Sequence, residues 1–109
     1  MPIGIDIEEH SRFDLSNNKL INKILSNDEF RIFSLFGSEK RKIEYLCSRW
    51  AAKEAIFKLN KFDSKNYHDY SILNDDFGKP EVYVYGKKIQ IDISISHSDN
   101  YSICVVFTN

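Results

Sequence analysis

Residues 38–60, SEKRKIEYLCSRWAAKEAIFKLN, contain the longest helical pattern of the chain. Apolar side chains recur there close to the 3.6-residue period of an α-helix. They occupy the positions of Ile43, Leu46, Cys47, Trp50, Ala51, Ala55 and Phe57. The pattern predicts one long helix, which Ser38 opens, in the middle of the chain.

The segment before this helix predicts a strand and shorter helices. Residues 3–7, IGIDI, alternate isoleucine with Gly and Asp, which indicates a half-buried strand. A short helix is expected over residues 8–15 and another over residues 17–25. Ser26 followed by Glu29 is a capping-box pattern and predicts the start of a further helix.

The segment after the long helix changes to a period of two, which is typical of strands. Strands are expected near residues 70–72, 82–85, 89–95 and 101–107, with a tight hairpin connection over residues 97–101. The chain therefore runs from a strand through helices into an antiparallel meander. This order predicts an α+β domain with helices on one face of a sheet.

Length and composition narrow the class of protein. The chain has 109 residues, which predicts a single domain over residues 1–109. A net charge of -1 argues against a nucleic-acid-binding domain. The sequence contains no apolar run long enough for a membrane span and no signal-peptide pattern. Cys47 and Cys104 are isolated thiols, expected in a reduced core, so a soluble cytoplasmic protein is predicted.

Glu54 falls within the apolar stripe of the long helix, four residues after Trp50 and three before Phe57. A carboxylate there must be paired, protonated or bound to a cation, because burying an unpaired charge costs several kcal/mol. One interpretation is that Glu54 lies at a solvent-exposed edge of the helix or forms an ion pair with a neighbouring cation, namely Arg49, Lys53 or Lys58.

Asp6 lies beside Gly4 on the strand face opposite the isoleucines, and a glycine there lets another group approach closely. A cap for a following helix would explain Asp6 structurally. Asp6 and Glu54 together, however, form a minimal oxygen site for a hard divalent ion. Mg²⁺ is typically held by one or two carboxylates, while water and substrate phosphates complete its octahedron.

Basic residues accompany Glu54 on the long helix, at Lys40, Arg41, Lys42, Arg49, Lys53 and Lys58. Cations around a metal-binding carboxylate suit a polyphosphate substrate, although a solvated helix face explains most such series. His97 stands at the tip of a predicted strand. It either hydrogen-bonds phosphate or is an ordinary turn residue.

Five motifs in order make the chain resemble the holo-acyl-carrier-protein synthase family, the small phosphopantetheinyl transferases. The matching segments are GIDI at 4–7 with Glu9 close behind, EKR at 39–41, RWAAKEA at 49–55 with Lys58, NDDFGKP at 74–80 and SISHS at 94–98. Together they cover nearly the whole chain.

The resemblance implies transfer of phosphopantetheine from coenzyme A to a serine of an acyl carrier protein, in lipid and fatty acid biosynthesis. It implies that Asp6 and Glu54 ligate Mg²⁺ and that Lys58 is catalytic. The coenzyme A phosphates would be bound by Arg41, Arg49, Lys53, Lys58, His97 and Ser98. The group that removes the serine proton stays open between Glu54, a metal-bound water and a group near Glu9.

The resemblance also implies a ferredoxin-like fold packed as a homotrimer, with active sites between subunits. Arg12 matches the carrier-protein-binding position of the family, and Lys19 and Lys23 are further candidates. Four aromatic residues are candidates for the subunit interface, or equally for ordinary positions on a sheet face: Tyr67, Tyr70, Tyr83 and Tyr85.

Residues 59–67, LNKFDSKNY, depart from the family pattern, because they contain no glycine where family members carry a Gly-rich segment near coenzyme A. This departure supports one alternative, a catalytically silent module that binds coenzyme A or a carrier protein. A third hypothesis, an RNA-binding domain of the same fold class, is disfavoured by the few cations in the meander: Lys79, Lys87 and Lys88.

Overall fold

The computed structural model describes residues 2–109 and has the predicted α+β order. Its elements are β1 (Ile3–Glu9), a 3₁₀ turn (His10–Arg12), α1 (Asn18–Ile24), α2 (Asn27–Leu35), α3 (Glu39–Lys58), a second 3₁₀ turn (Tyr67–Asp69), β2 (Tyr70–Asn74), β3 (Pro80–Val84), β4 (Lys87–Lys88), β5 (Asp92–His97) and β6 (Tyr101–Phe107). None of the helices formed by these residues has the length and apolarity to cross a membrane.

The strands form two antiparallel three-stranded sheets rather than one continuous meander. The first sheet has the order β1-β6-β5, and the second has the order β2-β3-β4. The strand predicted over residues 89–95 starts only at Asp92, because Ile89 belongs to the preceding hairpin, where its N–H donates to the Val82 carbonyl. The hairpin predicted over residues 97–101 is confirmed.

Side-chain caps define where the main helices begin. Ser26 and Glu29 form the predicted capping box of α2, and Ser38 accepts a hydrogen bond from the Arg41 N–H at the start of α3. The helix predicted over residues 8–15 is reduced to the first 3₁₀ turn. The chain leaves that turn extended at Phe13, which buries its ring against Trp50.

Helix α3 lies between two apolar clusters. The cluster toward the sheets contains Ala51, Ala52, Ala55, Ile56, Leu59, Tyr70, Ile72, Val82, Cys104 and Val106. The cluster toward α1 and α2 contains Phe13, Ile21, Ile24, Leu25, Phe33, Tyr45, Leu46 and Cys47. Both cysteines are free and buried, as predicted.

Strand β1 turns its small and acidic face toward α3, opposite to the orientation expected for its isoleucines. Gly4 and Glu8 are buried, whereas Ile3, Ile5 and Ile7 are each more than half exposed. The alternation predicted the strand correctly but not which of its faces is covered. Apolar side chains therefore line the outer face of the first sheet.

Gly4 allows the close contact between β1 and α3 that the sequence analysis expected. A Cβ atom built on Gly4 would lie 2.1 Å from the carbonyl oxygen of Ala55. This oxygen belongs to the helix backbone, which cannot move aside as the end of a flexible side chain would. Only glycine therefore lets the strand and the helix lie this close.

We expect Gly4→Ala to destabilise the protein, because the added methyl group must push β1 away from α3. The free energy of unfolding should fall by about 1–3 kcal/mol or more, measured by urea denaturation. Gly37→Ala is the matched control, since no atom lies within 4 Å of the Cβ position there, and its effect should stay within about 0.5 kcal/mol. Equal stability of the two variants would contradict the contact.

Candidate active site

The contact between β1 and α3 brings Asp6 beside Lys58. The Lys58 ammonium donates to the carbonyl oxygen of Ile5 over 2.8 Å and to Oδ1 of Asp6 over 3.2 Å. The other carboxylate oxygen of Asp6, Oδ2, is buried without a hydrogen-bond partner among residues 2–109. A buried carboxylate oxygen without a partner is costly, so this atom is suited to a cation or a donor that arrives with a ligand.

Glu54 lies one helical turn before Lys58 on α3 and is half-buried. The hydroxyl of Tyr67 donates a hydrogen bond to Oε1 of Glu54. Burial and this carboxylate raise the pKa of Tyr67, and Asp6 and Glu8 raise it further. The three carboxylates therefore lie around one phenol. Within residues 2–109, Glu54 forms no ion pair with its neighbouring cations.

Glu8 is a buried member of this group that the sequence analysis missed. It accepts a hydrogen bond from the guanidinium of Arg12. Burial, followed by the neighbouring Asp6, raises the pKa of Glu8 to about 7, while Arg12 acts in the opposite direction. The signal was its position two residues after Asp6, which places both on one face of β1.

Asp6 and Glu54 are suitable ligands for Mg²⁺. Both supply carboxylate oxygens, which hard divalent cations prefer, and Oδ2 of Asp6 has no other partner. The part of the chain that the structure describes contains no group of three or more His, Cys, Asp or Glu side chains that could hold a metal. Two carboxylates nevertheless suffice for a Mg²⁺ ion whose remaining positions are taken by water and substrate phosphates.

A second, basic part of the site is a cavity of about 840 Å³ between α2, α3, β2 and β5. Arg41, Arg49 and His97 all line it, so the structure brings three of the predicted phosphate-binding residues together. Nδ1 of His97 lies 3.5 Å from a carboxylate oxygen of Glu44, which also lines the cavity. The lining contains three arginines, at positions 31, 41 and 49, against two carboxylates, at positions 28 and 44, so positive charge exceeds negative charge in this cavity.

Arg49 is held in one orientation at the wall of this cavity. Its guanidinium donates to Oγ of Ser48 and to the carbonyl oxygen of Ile72, each over 3.1 Å, and lies over the ring of Tyr45. Its buried Nε has no hydrogen-bond partner among the described residues. The guanidinium is therefore fixed at the cavity wall, and a planar guanidinium is suited to binding an anion.

Ser98 lies in the turn next to His97 but does not line the cavity. Its hydroxyl oxygen accepts hydrogen bonds from the N–H groups of Asn100 and Tyr101, over 3.3 and 3.2 Å. The serine therefore shapes the hairpin connection and stays exposed at its surface.

Lys53 is not a phosphate-binding residue, and this prediction is wrong. Its side chain is fully buried, and its ammonium donates to the carbonyl oxygen of Ile24 over 2.6 Å and to a carboxylate oxygen of Glu29. The second oxygen of Glu29 accepts the N–H of Ile72 over 2.8 Å. Burial lowers the pKa of Lys53, and Glu29 opposes that shift. This pair joins α2, α3 and β2.

Two of the aromatic residues proposed for a subunit interface have other positions. Tyr70 is fully buried, and its hydroxyl donates to the carbonyl oxygen of Ser64, so that prediction is wrong. Tyr67 is half-buried against Trp50 and Glu54. Tyr85 is exposed, and Tyr83 is partly exposed.

We expect Lys53→Met to reduce the free energy of unfolding by about 3–5 kcal/mol, because it leaves Glu29 buried without its partner. The double variant Lys53→Met/Glu29→Gln should recover part of this loss in the same urea denaturation experiment. Lys40→Met is the control. It removes a lysine from an exposed ion pair with Asp99, which should cost no more than about 1 kcal/mol. An undiminished stability of Lys53→Met would contradict the structural role.

Comparison with known proteins identifies the class to which this fold and site belong. The 4'-phosphopantetheinyl transferase superfamily matches residues 2–106. A holo-[acyl-carrier-protein] synthase from Geobacillus sp. (strain WCH70) is 47% identical over 95% of this chain and 92% of its own length. One from Acholeplasma laidlawii (strain PG-8A) is 38% identical over the same shares.

Solved structures agree with these relatives. The holo-(acyl-carrier-protein) synthase from Bacillus anthracis str. Ames, in complex with CoA (3',5'-ADP), superposes with a TM-score of 0.83 at 32% identity, covering 96% of this chain and 92% of that one. The chain belongs to the 4'-phosphopantetheinyl transferase superfamily and, within it, to the holo-acyl-carrier-protein synthase family. The family and the enzyme class that the sequence motifs predicted are confirmed.

Proposed function

We propose that this chain transfers phosphopantetheine from coenzyme A to a serine of an apo acyl carrier protein and releases adenosine 3',5'-bisphosphate. The observation that carries the proposal is the cluster of Asp6, Glu54 and Lys58 at the contact between β1 and α3. Two carboxylates and an ammonium suit a reaction at a magnesium-bound pyrophosphate. The CoA complex of the Bacillus anthracis relative supports the choice of donor.

The reaction is a phosphoryl transfer in which positioning and charge neutralisation supply most of the acceleration. The serine oxygen forms a bond to the phosphorus that carries pantetheine, and the bond from this phosphorus to the bridging oxygen breaks. The serine proton passes to a base, and the bisphosphate leaves with the bridging oxygen. Mg²⁺ held by Asp6 and Glu54 would supply Lewis-acid charge to the phosphoryl oxygens.

Residues of this chain supply positive charge at two places in the candidate active site. The Lys58 ammonium, which is paired with Asp6 in this structure, is placed to neutralise a phosphoryl oxygen next to that carboxylate. Arg41, Arg49 and His97, which line the basic cavity, would bind the other phosphates of the nucleotide. Orientation of the donor by several fixed contacts lowers the entropic cost of the attack.

The two parts of the site support assembly into a homotrimer. Asp6, Glu54 and Lys58 do not line the basic cavity, so one chain presents the carboxylates and the phosphate-binding residues separately. Apolar side chains also cover the outer face of the first sheet, at Ile3, Ile5, Ile7, Ile103 and Phe107. Burying this face between copies would bring complementary parts of the site together, and we take the number of three copies from the resemblance to the family.

The acceptor is an acidic carrier protein, for which the surface near Arg12 is suitable. The Arg12 side chain is 60% exposed although it pairs with Glu8. Lys19 and Lys23 are exposed on α1. We place this reaction in cytoplasmic fatty acid biosynthesis, where carrier proteins need the phosphopantetheine arm to hold acyl chains.

We expect Asp6→Asn and Glu54→Gln each to abolish transfer while the protein stays folded. The assay is mass spectrometry of an apo acyl carrier protein incubated with the enzyme, coenzyme A and Mg²⁺. Wild-type protein should add the mass of one phosphopantetheine, and EDTA should prevent it. Asp76→Asn, which changes an exposed carboxylate in a turn, is the control and should react like the wild type.

The same experiment separates the proposed function from a catalytically silent module. Coenzyme A binding without any mass gain, tested with several carrier proteins, would favour the silent module. Full activity of both carboxylate variants would overturn the assignment of Asp6 and Glu54.

We expect Ile5→Lys to convert the assembled protein into monomers with little transfer activity, because it places a charge on the apolar sheet face. Size-exclusion chromatography with light scattering measures the mass of the particle. Leu35→Lys is the control, since Leu35 is also an exposed apolar residue but lies on α2. A wild-type monomer with full activity would contradict the trimer.

A further inference from the structure

The segment between α3 and β2 places an aromatic residue directly on the candidate metal site. This segment lacks the glycines of the family pattern and leads into the second 3₁₀ turn, Tyr67–Asp69. The hydroxyl of Tyr67 donates to Oε1 of Glu54. The residue that sequence patterns placed at a subunit interface is therefore in contact with a predicted metal ligand.

The backbone around Tyr67 is fixed by hydrogen bonds on both sides. Oδ1 of Asn66 accepts the N–H of His68 over 3.2 Å and caps the 3₁₀ turn. The imidazole of His68 donates from Nδ1 to the carbonyl oxygen of Leu25 over 2.8 Å, which ties the turn to the end of α1. Tyr67 is therefore not the tip of a free loop.

The ring of Tyr67 is held as firmly as its backbone. It stacks on Trp50 with ring centroids 4.7 Å apart and 18° between the planes, and it contacts Phe57 at 5.0 Å between centroids. Both partners are on α3, the helix that carries Glu54. These contacts fix the direction in which the phenolic hydroxyl points.

The hydrogen bond restricts a flexible carboxylate. A glutamate side chain has several rotatable bonds, and ordering it for a ligand costs free energy. The hydroxyl of Tyr67, held in place by the stacking of its ring on Trp50, donates to Oε1 of Glu54. One oxygen of Glu54 is then committed to the tyrosine, and the second is presented in a defined direction.

We propose that Tyr67 is a positioning residue that orients Glu54 for cation binding through the hydrogen bond from its hydroxyl. The inference rests on the proposed function, since it concerns the same magnesium-dependent site. The proposal gives a role to the segment that departs from the family pattern. This segment supplies a hydrogen-bond donor, the Tyr67 hydroxyl, to the carboxylate of Glu54. Removing such a partner of a metal ligand typically lowers metal affinity 10–100-fold.

The test is the single-atom change Tyr67→Phe. Mn²⁺ serves as the probe, and electron paramagnetic resonance counts the free ion in the presence of coenzyme A, with a protein-free blank. We expect the Kd for Mn²⁺ to rise about 10-fold or more. In the transfer assay, the Mg²⁺ concentration at half-maximal rate should rise by the same factor, while kcat at saturating Mg²⁺ stays near the wild-type value.

Tyr70→Phe is the matched control. It also removes a tyrosine hydroxyl that donates a hydrogen bond, but the acceptor is the carbonyl oxygen of Ser64 rather than a carboxylate of the site. Its Kd for Mn²⁺ should equal that of the wild type. The fluorescence of Trp50, the one tryptophan of the chain, checks that the stacked ring keeps its place in Tyr67→Phe.

A double-variant comparison confines the effect to Glu54. In a Glu54→Gln background, Tyr67→Phe should cause no further loss of Mn²⁺ affinity. An unchanged Kd in Tyr67→Phe, or a fall in kcat at saturating Mg²⁺ with an unchanged Kd, would overturn the inference alone. Wild-type protein that neither binds Mn²⁺ nor transfers phosphopantetheine would instead refute the proposed function.

Discussion

The close contact between Gly4 and Ala55 is the constraint on which the candidate active site depends. A strand can lie against a helix backbone at this distance only where no Cβ atom intervenes. Asp6 follows Gly4 by two residues on the same strand face, and Glu54 immediately precedes Ala55. This backbone contact therefore brings Asp6 and Glu54 to the same side of the β1–α3 contact, and Lys58, one turn further along α3, pairs with Asp6.

A buried ion pair holds the other side of α3 in a comparable way. Lys53 and Glu29 are fully buried, and together they contact the backbone of α1, α2 and β2. Glu29 also closes the capping box of α2 with Ser26. Since an uncompensated charge there would be expensive, the pair gives the helices one favourable arrangement. This arrangement of α2, α3 and β2 determines the shape of the basic cavity that they form with β5.

Sequence patterns predicted the element order, the capping box, the long helix and the role of Gly4, because each depends on local spacing. They could not show which face of β1 is covered, since alternation has the same period on either face. Lys53 was misassigned for a related reason. Its motif identifies the family, but the burial of Lys53 depends on Glu29 of α2, which lies 24 residues earlier in the chain. Tyr67 contacts Glu54 because of the course that the irregular segment after α3 takes. The periodicity of side chains does not predict the course of an irregular segment.

The order of strands in the first sheet has a consequence for folding. Among the strands that the structure describes, β1 pairs with β6, and the four other strands lie between these two in the sequence. The isoleucines of β1 and the backbone of that strand stay unpaired until the chain closes a loop that contains all the helices and the four other strands. Pairing across almost the whole chain slows folding, and transiently unpaired apolar strands favour aggregation. A folding intermediate that lacks this strand pairing therefore exposes the backbone edge of β1 to other chains.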